Sequence, residues 1–218
     1  MTAYSPAQLK RALKQAGLHV EYQPGWDSKG INPFNSGPWA GVCLHHTANG
    51  GASGDHPSLY WMMNNQFAPV RAAHFLIGRS GKIMCTSGSG AYHAGAGGPL
   101  KLGSHYIAPT QGNAALVGIE IESKGTDPRI NARVDEVDGL TPQQVDAATK
   151  LTVALLDLMG LGVKSVIRHR DWTDGGFDGN PVLPTKGRKN DVLQPLSFWR
   201  RRIRRAQLAM RAKRLIGR

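Results

Sequence analysis

The chain is short of three things. It has two cysteines in 218 residues, too few for a disulfide scaffold, so a hydrophobic core must hold the fold. It has no run approaching the ~18 consecutive apolar residues of a membrane-spanning helix. It is also poor in acid, with 15 Asp and Glu against 27 Lys and Arg and a net charge of +12. That deficit is local. Residues 197–218 carry nine basic side chains and no acidic one, which leaves +3 for everything before them. The basic character therefore belongs to the last segment, where it favours an anionic surface such as nucleic acid, membrane or charged wall polymer. The first residues, M-T-A-Y-S-P-A-Q-L-K-R, contain no apolar segment of the signal-peptide kind. Synthesis in the cytoplasm, with action elsewhere only after release by something else, is the expectation.

What is present reads as one globular domain. Apolar residues make up 40% and charged residues 19%, outside the disordered range. The 27 glycines and 13 prolines imply long loops on a fixed scaffold. Ser5-Pro6-Ala7-Gln8 and Thr141-Pro142-Gln143-Gln144 each combine an N-cap hydroxyl, a proline at the first helical position and a glutamine three residues on, which predicts helix starts. The second helix should run to Met159 and stop at Gly160. Residues 57–67 and 198–215 read as further helices. Residues 18–22, 42–47, 115–122 and 166–169 read as strands, and 73–85 as a hairpin turning at Gly81. Residues 88–109 and those following His169 read as loops. Strands interspersed with helices predict an α/β fold, a single mixed β-sheet flanked by helices. The catalytic-sized unit would be residues 1–196, with its core at about 40–192, and residues 197–218 a basic helical tail. Cys43 and Cys85 sit in apolar strand contexts, where buried free thiols are expected.

Chemistry begins at Cys43-Leu44-His45-His46-Thr47. On a strand, Cys43, His45 and Thr47 share one face, and Val42, Leu44 and His46 the other. Alternation alone does not choose between the two histidines. His45, His169 and Asp191 are two imidazoles and a carboxylate, the open ligand set of a catalytic zinc whose fourth position is left to water. Spacing alone is a weak signal, because eight histidines offer many such triples.

Four segments together resemble the zinc-dependent N-acetylmuramoyl-L-alanine amidases, the fold shared with peptidoglycan-recognition proteins and phage endolysins. They are Leu44-His45-His46-Thr47; Ala73-His74-Phe75-Leu76-Ile77-Gly78-Arg79-Ser80-Gly81; Val117-Gly118-Ile119-Glu120-Ile121-Glu122; and His169 through Gly187-Arg188-Lys189-Asn190-Asp191. Tyr92-His93-Ala94-Gly95 matches a shorter piece. The resemblance implies Zn2+ held by His45, His169 and Asp191, Glu120 as the catalytic base, and Lys189 stabilising the oxyanion. It leaves His93 for substrate contact or support of the metal site, and His74 near the site with an open role. His46 then joins the packed face. The implied reaction is hydrolysis of the amide between N-acetylmuramic acid and L-alanine in bacterial peptidoglycan.

This chain departs from the family pattern in three places. Ala73 stands where some phage members carry a catalytic tyrosine, so the chain resembles the branch that relies on glutamate. Val192-Leu193 replaces the usual Pro-Gly after the third ligand, which should leave that backbone less constrained. His169 and Asp191 are 22 positions apart, longer than compact family members, so Asp174 and Asp178 are competing third ligands. Glu122 reads as a solvated or salt-bridged carboxylate, and Trp172 as packing beneath the site. In the tail, Phe198, Trp199 and Ile203 should pack on the domain while the arginines meet an anionic envelope surface. A phage or prophage endolysin acting as a monomer is the leading expectation. The alternatives are a cytosolic muropeptide-recycling amidase and a non-catalytic peptidoglycan-binding module. No specific nucleic-acid partner is expected, since the tail lacks interleaved aromatic platforms.

Overall fold

The computed structural model describes residues 4–30, 38–49, 53–64, 71–123, 139–174, 189, 191, 192 and 194–216. Its elements in chain order are α1 (Pro6–Gln15), β1 (Val20–Tyr22), β2 (Gly41–His46), α2 (Leu59–Asn64), β3 (Phe75–Ile77), β4 (Ile83–Cys85), β5 (Leu100–Leu102), β6 (His105–Ile107), α3 (Gly112–Ala115), β7 (Leu116–Ile121), α4 (Pro142–Met159), β8 (Val166–Arg168), α5 (His169–Asp174) and α6 (Leu196–Ile216). Six strands form one sheet in the order β1-β4-β3-β7-β2-β8. Strands β3, β7, β2 and β8 are mutually parallel, whereas β4 pairs antiparallel with β3 and parallel with β1. The sheet is therefore mixed and helix-flanked, as expected. No helix among the described residues is long and apolar enough to cross a membrane.

Both capping boxes form. Ser5 Oγ accepts from the Gln8 N–H at 3.2 Å, and Gln8 Oε1 from the Ser5 N–H at 2.8 Å. Thr141 and Gln144 repeat the exchange at 3.1 and 2.9 Å. Each such cap is worth about 1 kcal/mol. Gly160 ends α4 in the left-handed region, at φ 66°, where a side chain would be strained.

The two sheet faces have different tasks. Val42, Leu44, Phe75, Ile77, Val117, Ile119 and Ile121 pack with α1, α4 and α6 into the main core. Side chains of opposite parity look the other way. There Cys43 and Ile167 meet Trp172 and the small β5–β6 sheet, and Leu76 and Met84 meet Met62 of α2. Cys43 and Cys85 are free, buried, and in the cores on opposite faces.

Two segments expected as loops are structured. Residues 88–109 contain the β5–β6 hairpin, with Leu102 paired to His105 across Gly103-Ser104. Its signal was the alternation L-K-L and H-Y-I around a Gly-Ser turn, in strands of only three residues. The segment following β8 opens with α5, where Asp171 accepts from the Arg168 N–H at 2.9 Å and from its guanidinium at 2.7 and 3.0 Å. Helix α2 occupies Leu59–Asn64; residues 57–58 of its expected span form a turn instead, and residues 65–67 lie outside the described residues.

Helix α6 is part of the core. Trp199 and Ile203 are fully buried within the same cluster as α4 and the sheet, while Arg201, Arg204, Arg205, Arg211 and Lys213 are exposed. Truncating Trp199 would leave a cavity beneath α4. Trp199→Ala should cost about 3–5 kcal/mol, read as a lower urea midpoint with an unchanged slope. A loss under 1 kcal/mol would show that α6 only rests on the domain.

Candidate metal centre and cleft

The parallel register assembles the site. His45 on β2 is paired with Glu120 on β7, and Leu44 with Arg168, the last residue of β8. His169 therefore leaves β8 beside His45. Strands that run together and end together deliver their next side chains to one crevice, the usual ligand position in open α/β sheets.

His45, His169 and Asp191 offer ligating atoms that all lie within 4.8 Å of one another, and all three residues are buried. Asp191 Oδ2 is 3.1 Å from His169 Nδ1 and 3.5 Å from His45 Nδ1. The other ring nitrogens are committed. His169 Nε2 lies 3.1 Å from the Ala94 carbonyl, and His45 Nε2 lies 3.0 Å from His93 Nδ1. A carbonyl only accepts, so His169 Nε2 holds a proton, and in a neutral ring its Nδ1 would present a lone pair toward the carboxylate. His45 Nδ1 is buried without a hydrogen-bond partner. Lone pairs facing a carboxylate at such distances repel unless a cation stands among them. This donor set fits a metal ion that accepts nitrogen and oxygen.

A second group, Cys43, His45 and His93, is similarly close, but burial drives the Cys43 thiol well above its ordinary pKa, which disfavours the thiolate a metal needs. It shares His45 through that ring's opposite nitrogen. The first group is the better site because it has an ionised carboxylate and opens to the cleft. Asp174 instead faces Arg170 at 3.3 Å on α5 and belongs to neither group, whereas Asp178 lies outside the described residues. His46 borders the cleft and also belongs to neither group.

Electrostatics follow from burial. Burial lowers His45 to about 4, with His169 adding and Asp191 opposing. It lowers His74 to about 3 and His93 well below its ordinary value. Burial works to raise Asp191, but its imidazole neighbours outweigh it and hold the carboxyl below the usual range. Glu120 is pushed up to about 8, chiefly by burial and then by the charge of Asp191, with Lys189 opposing. Its side chain is 14% exposed, with Oε1 3.9 Å from His45 Nδ1 and Oε2 buried without a hydrogen-bond partner.

A cleft of about 1000 Å³ opens over this cluster. Glu120, Lys189, His169 and Asp191 line it together with Trp61 and Tyr92. Those two aromatics, 52% and 43% exposed, went unassigned in the sequence; Trp61 lies beside Tyr60 in an otherwise ordinary helix pattern. His93 also lines the cleft, but both of its ring nitrogens are engaged, Nε2 lying 2.9 Å from the Leu116 carbonyl. His74 is fully buried and its Nδ1 accepts from the Gly118 N–H at 3.0 Å. It is absent from the cleft lining.

Glu122 departs from expectation. It is 1% exposed, so it is not solvated. It accepts from the Ser58 N–H at 2.6 Å, Ser58 Oγ at 2.9 Å and Thr47 Oγ1 at 2.9 Å, tying the end of β7 to the start of α2 and the end of β2. Trp172 packs beneath the site as expected. It is fully buried, and a Cβ placed on Gly97, Gly98 or Gly112 would come within 2.7 Å of it. Val192, directly after Asp191, is buried in the main core and the Asp191 carbonyl accepts from the Arg170 N–H at 2.9 Å, so the chain is held at this point, while Leu193 lies outside the described residues.

A mixed sheet that gathers two imidazole nitrogens, a carboxylate, a second carboxylate and a lysine at one end of its parallel strands defines a candidate metallohydrolase. The comparisons narrow that class. The profile of the N-acetylmuramoyl-L-alanine amidase family matches residues 35–189, more than half of the chain, and stops just short of Asp191. The chain belongs to this family. No curated protein sequence matches it. Among solved structures it is similar to PlyL (12% identity, TM-score 0.53, covering 85% of this chain and 97% of that one). It is also similar to AmpD, a selenomethionine derivative (21%, 0.52, covering 85% and 92%). A third is the E. coli N-acetylmuramyl-L-alanine amidase AmiD, complexed with anhydro-N-acetylmuramic acid-L-Ala-D-gamma-Glu-L-Lys (19%, 0.53, covering 76% and 57%). At these identities the likeness supports the shared fold.

The buried imidazoles give the metal-free protein a defined acid response. Unfolded histidines take up protons below about pH 6.5. Folded His45, His74 and His93 resist until lower pH, so stability present above 6.5 is lost as pH falls. Glu120, raised when folded, pulls the other way and offsets one ring. Two rings remain, each worth up to about 1.4 kcal/mol per pH unit. The urea midpoint of metal-free protein should fall steadily from pH 6.5 to 5; a flat or rising midpoint would contradict the burial of these rings as neutral species.

Proposed function

We propose that this chain hydrolyses the lactyl–L-alanine amide of bacterial peptidoglycan with a zinc ion held by His45, His169 and Asp191. The observation that carries the reading is the unpartnered Glu120 carboxylate oxygen at the cleft, beside the Nδ1 atoms of His45 and His169 that converge on Asp191. A bound zinc would supply Lewis acidity and a water acidified to a pKa of about 7.

The chain's own groups perform the rest. Glu120, whose raised proton affinity suits a group that must both take and return a proton, accepts a proton as water oxygen bonds to the amide carbon. It delivers that proton to the nitrogen as the C–N bond breaks, leaving a carboxylic acid and a free L-alanine amino group. Lys189, exposed at the cleft edge, reaches the carbonyl oxygen and stabilises its developing charge. Trp61 and Tyr92 supply apolar walls against which a sugar ring or stem peptide can lie.

The intact ligand set and general base favour an enzyme over a non-catalytic binding module. The basic face of α6 favours a wall-attacking, endolysin-like role over recycling of small soluble fragments, which need no surface attraction. Glu120→Ala should keep stoichiometric zinc and lose about 10²- to 10⁴-fold in turnover, scored by mass spectrometry of new L-alanine amino termini in digested peptidoglycan. Full activity in that variant removes Glu120 as the base. Zinc binding with no amide cleavage by the wild-type chain would instead support the binding-module reading.

The tail has a separate test. Arg201, Arg204, Arg205 and Arg211 are exposed on α6, and each is worth about 1 kcal/mol near an anionic membrane surface. Changing all four to Gln should weaken co-sedimentation with anionic vesicles or whole walls at low salt while leaving soluble muropeptide hydrolysis intact. Equal binding across a salt series would remove the role for this face.

A further inference from the structure

Two metal-facing histidines need their protons on the far nitrogen, and both far nitrogens end on one dipeptide. His169 Nε2 meets the Ala94 carbonyl at 3.1 Å, and His45 Nε2 meets His93 Nδ1 at 3.0 Å. We propose that His93 is a positioning residue that fixes the tautomer of His45, so that the His93–Ala94 dipeptide readies both imidazole ligands for the metal. The proposal rests on the zinc-site reading above.

The proton positions follow from the acceptors. The Leu116 carbonyl lies 2.9 Å from His93 Nε2 and can only accept, so that nitrogen carries a proton. In a neutral ring His93 Nδ1 is then a lone pair, and the hydrogen between the two rings belongs to His45 Nε2. His45 Nδ1 is left bare and turned toward Asp191 and His169. The reverse arrangement would take the hydrogen out of the 3.0 Å contact between the two rings and leave two lone pairs facing each other there.

The fold builds a seat for this relay. A Cβ on Gly118 would lie 2.4 Å from His93 Cγ, so β7 carries no side chain where the ring lies. Asn113 Oδ1 accepts from the His93 N–H at 2.9 Å and the Ala94 N–H at 2.7 Å, fixing the dipeptide that addresses both ligands. The two ligands differ in one respect. A backbone carbonyl orients His169 and survives any substitution, whereas a side chain orients His45 and can be removed.

Outer partners of metal-binding histidines typically govern affinity by about 10- to 100-fold. In the full-length chain, zinc affinity measured against a competing chromophoric chelator should fall by about that factor in His93→Leu. His93→Asn returns an acceptor oxygen near the Nδ1 position and should recover most of the loss. His93→Gln returns a group only near Nε2 and should not. A second readout needs no variant. In ¹H–¹⁵N spectra of the metal-free wild-type chain, His45 should show a protonated Nε2 and a bare Nδ1, and in His93→Leu the two tautomers should mix. Wild-type zinc affinity in a folded His93→Leu, or a proton on His45 Nδ1 in the wild type, would overturn the proposal. A wild-type chain that takes up no zinc would overturn the zinc reading itself, and the tautomer spectrum would still decide the part played by His93.

Discussion

The in-register parallel pairing of β2 with β7 and β8 is the constraint on which the molecule depends. It brings His45 level with Glu120 and releases His169 next to both. A slip of one residue would turn His45 into the apolar core and aim Leu44 at the cleft, because side chains alternate at every position. The register is held by what lies behind the sheet. Val42, Leu44, Val117, Ile119 and Ile121 are fully buried against the helical layer, and any slip would expose that row to polar surroundings. Apolar packing on one face thus enforces polar geometry on the other.

The division of labour matters energetically. The site face buries His45, His74, His93, His169, Asp191 and Glu122, and each such group costs stability unless it finds partners. Most find them in the backbone: the carbonyls of Leu116 and Ala94 and the N–H groups of Gly118 and Ser58 all serve these side chains. The remaining unsatisfied atoms include His45 Nδ1 and Glu120 Oε2, both in the region assigned to chemistry. Functional sites are where such debts gather, and here the dry layer of α1, α4 and α6 offsets them.

Local signals in the sequence were readable where the structure is local. Both capping boxes, the glycine stop at Gly160, the alternation of β7 and the apolar anchors of α6 follow from nearest neighbours along the chain. The ligand set was different, because His45 and His169 are distant in sequence and only the family resemblance singled them out together with Asp191. What stayed hidden depends on contacts between distant segments. Asn113, in the four-residue helix α3, is unremarkable in the sequence until its carboxamide meets the backbone of His93 and Ala94. The β5–β6 hairpin has three-residue strands, too short for periodicity to register, and its buried leucines make sense only against Trp172. Glu122 shares its strand parity with Glu120, but one faces the cleft and the other disappears beneath α2, a difference set by where Ser58 and Thr47 arrive.

That carboxylate has a wider consequence. Glu122 fastens the start of α2 and the end of β2 to β7 through Ser58 and Thr47. Trp61, one wall of the cleft, rides on α2. The same negative charge is also the weakest of the influences that raise Glu120, after burial and Asp191 on that side and Lys189 against it. One side chain therefore holds the spacing of the cleft wall and also leans, if least of all, on the proton affinity of the proposed base, so a change there that moves the wall touches the chemistry as well.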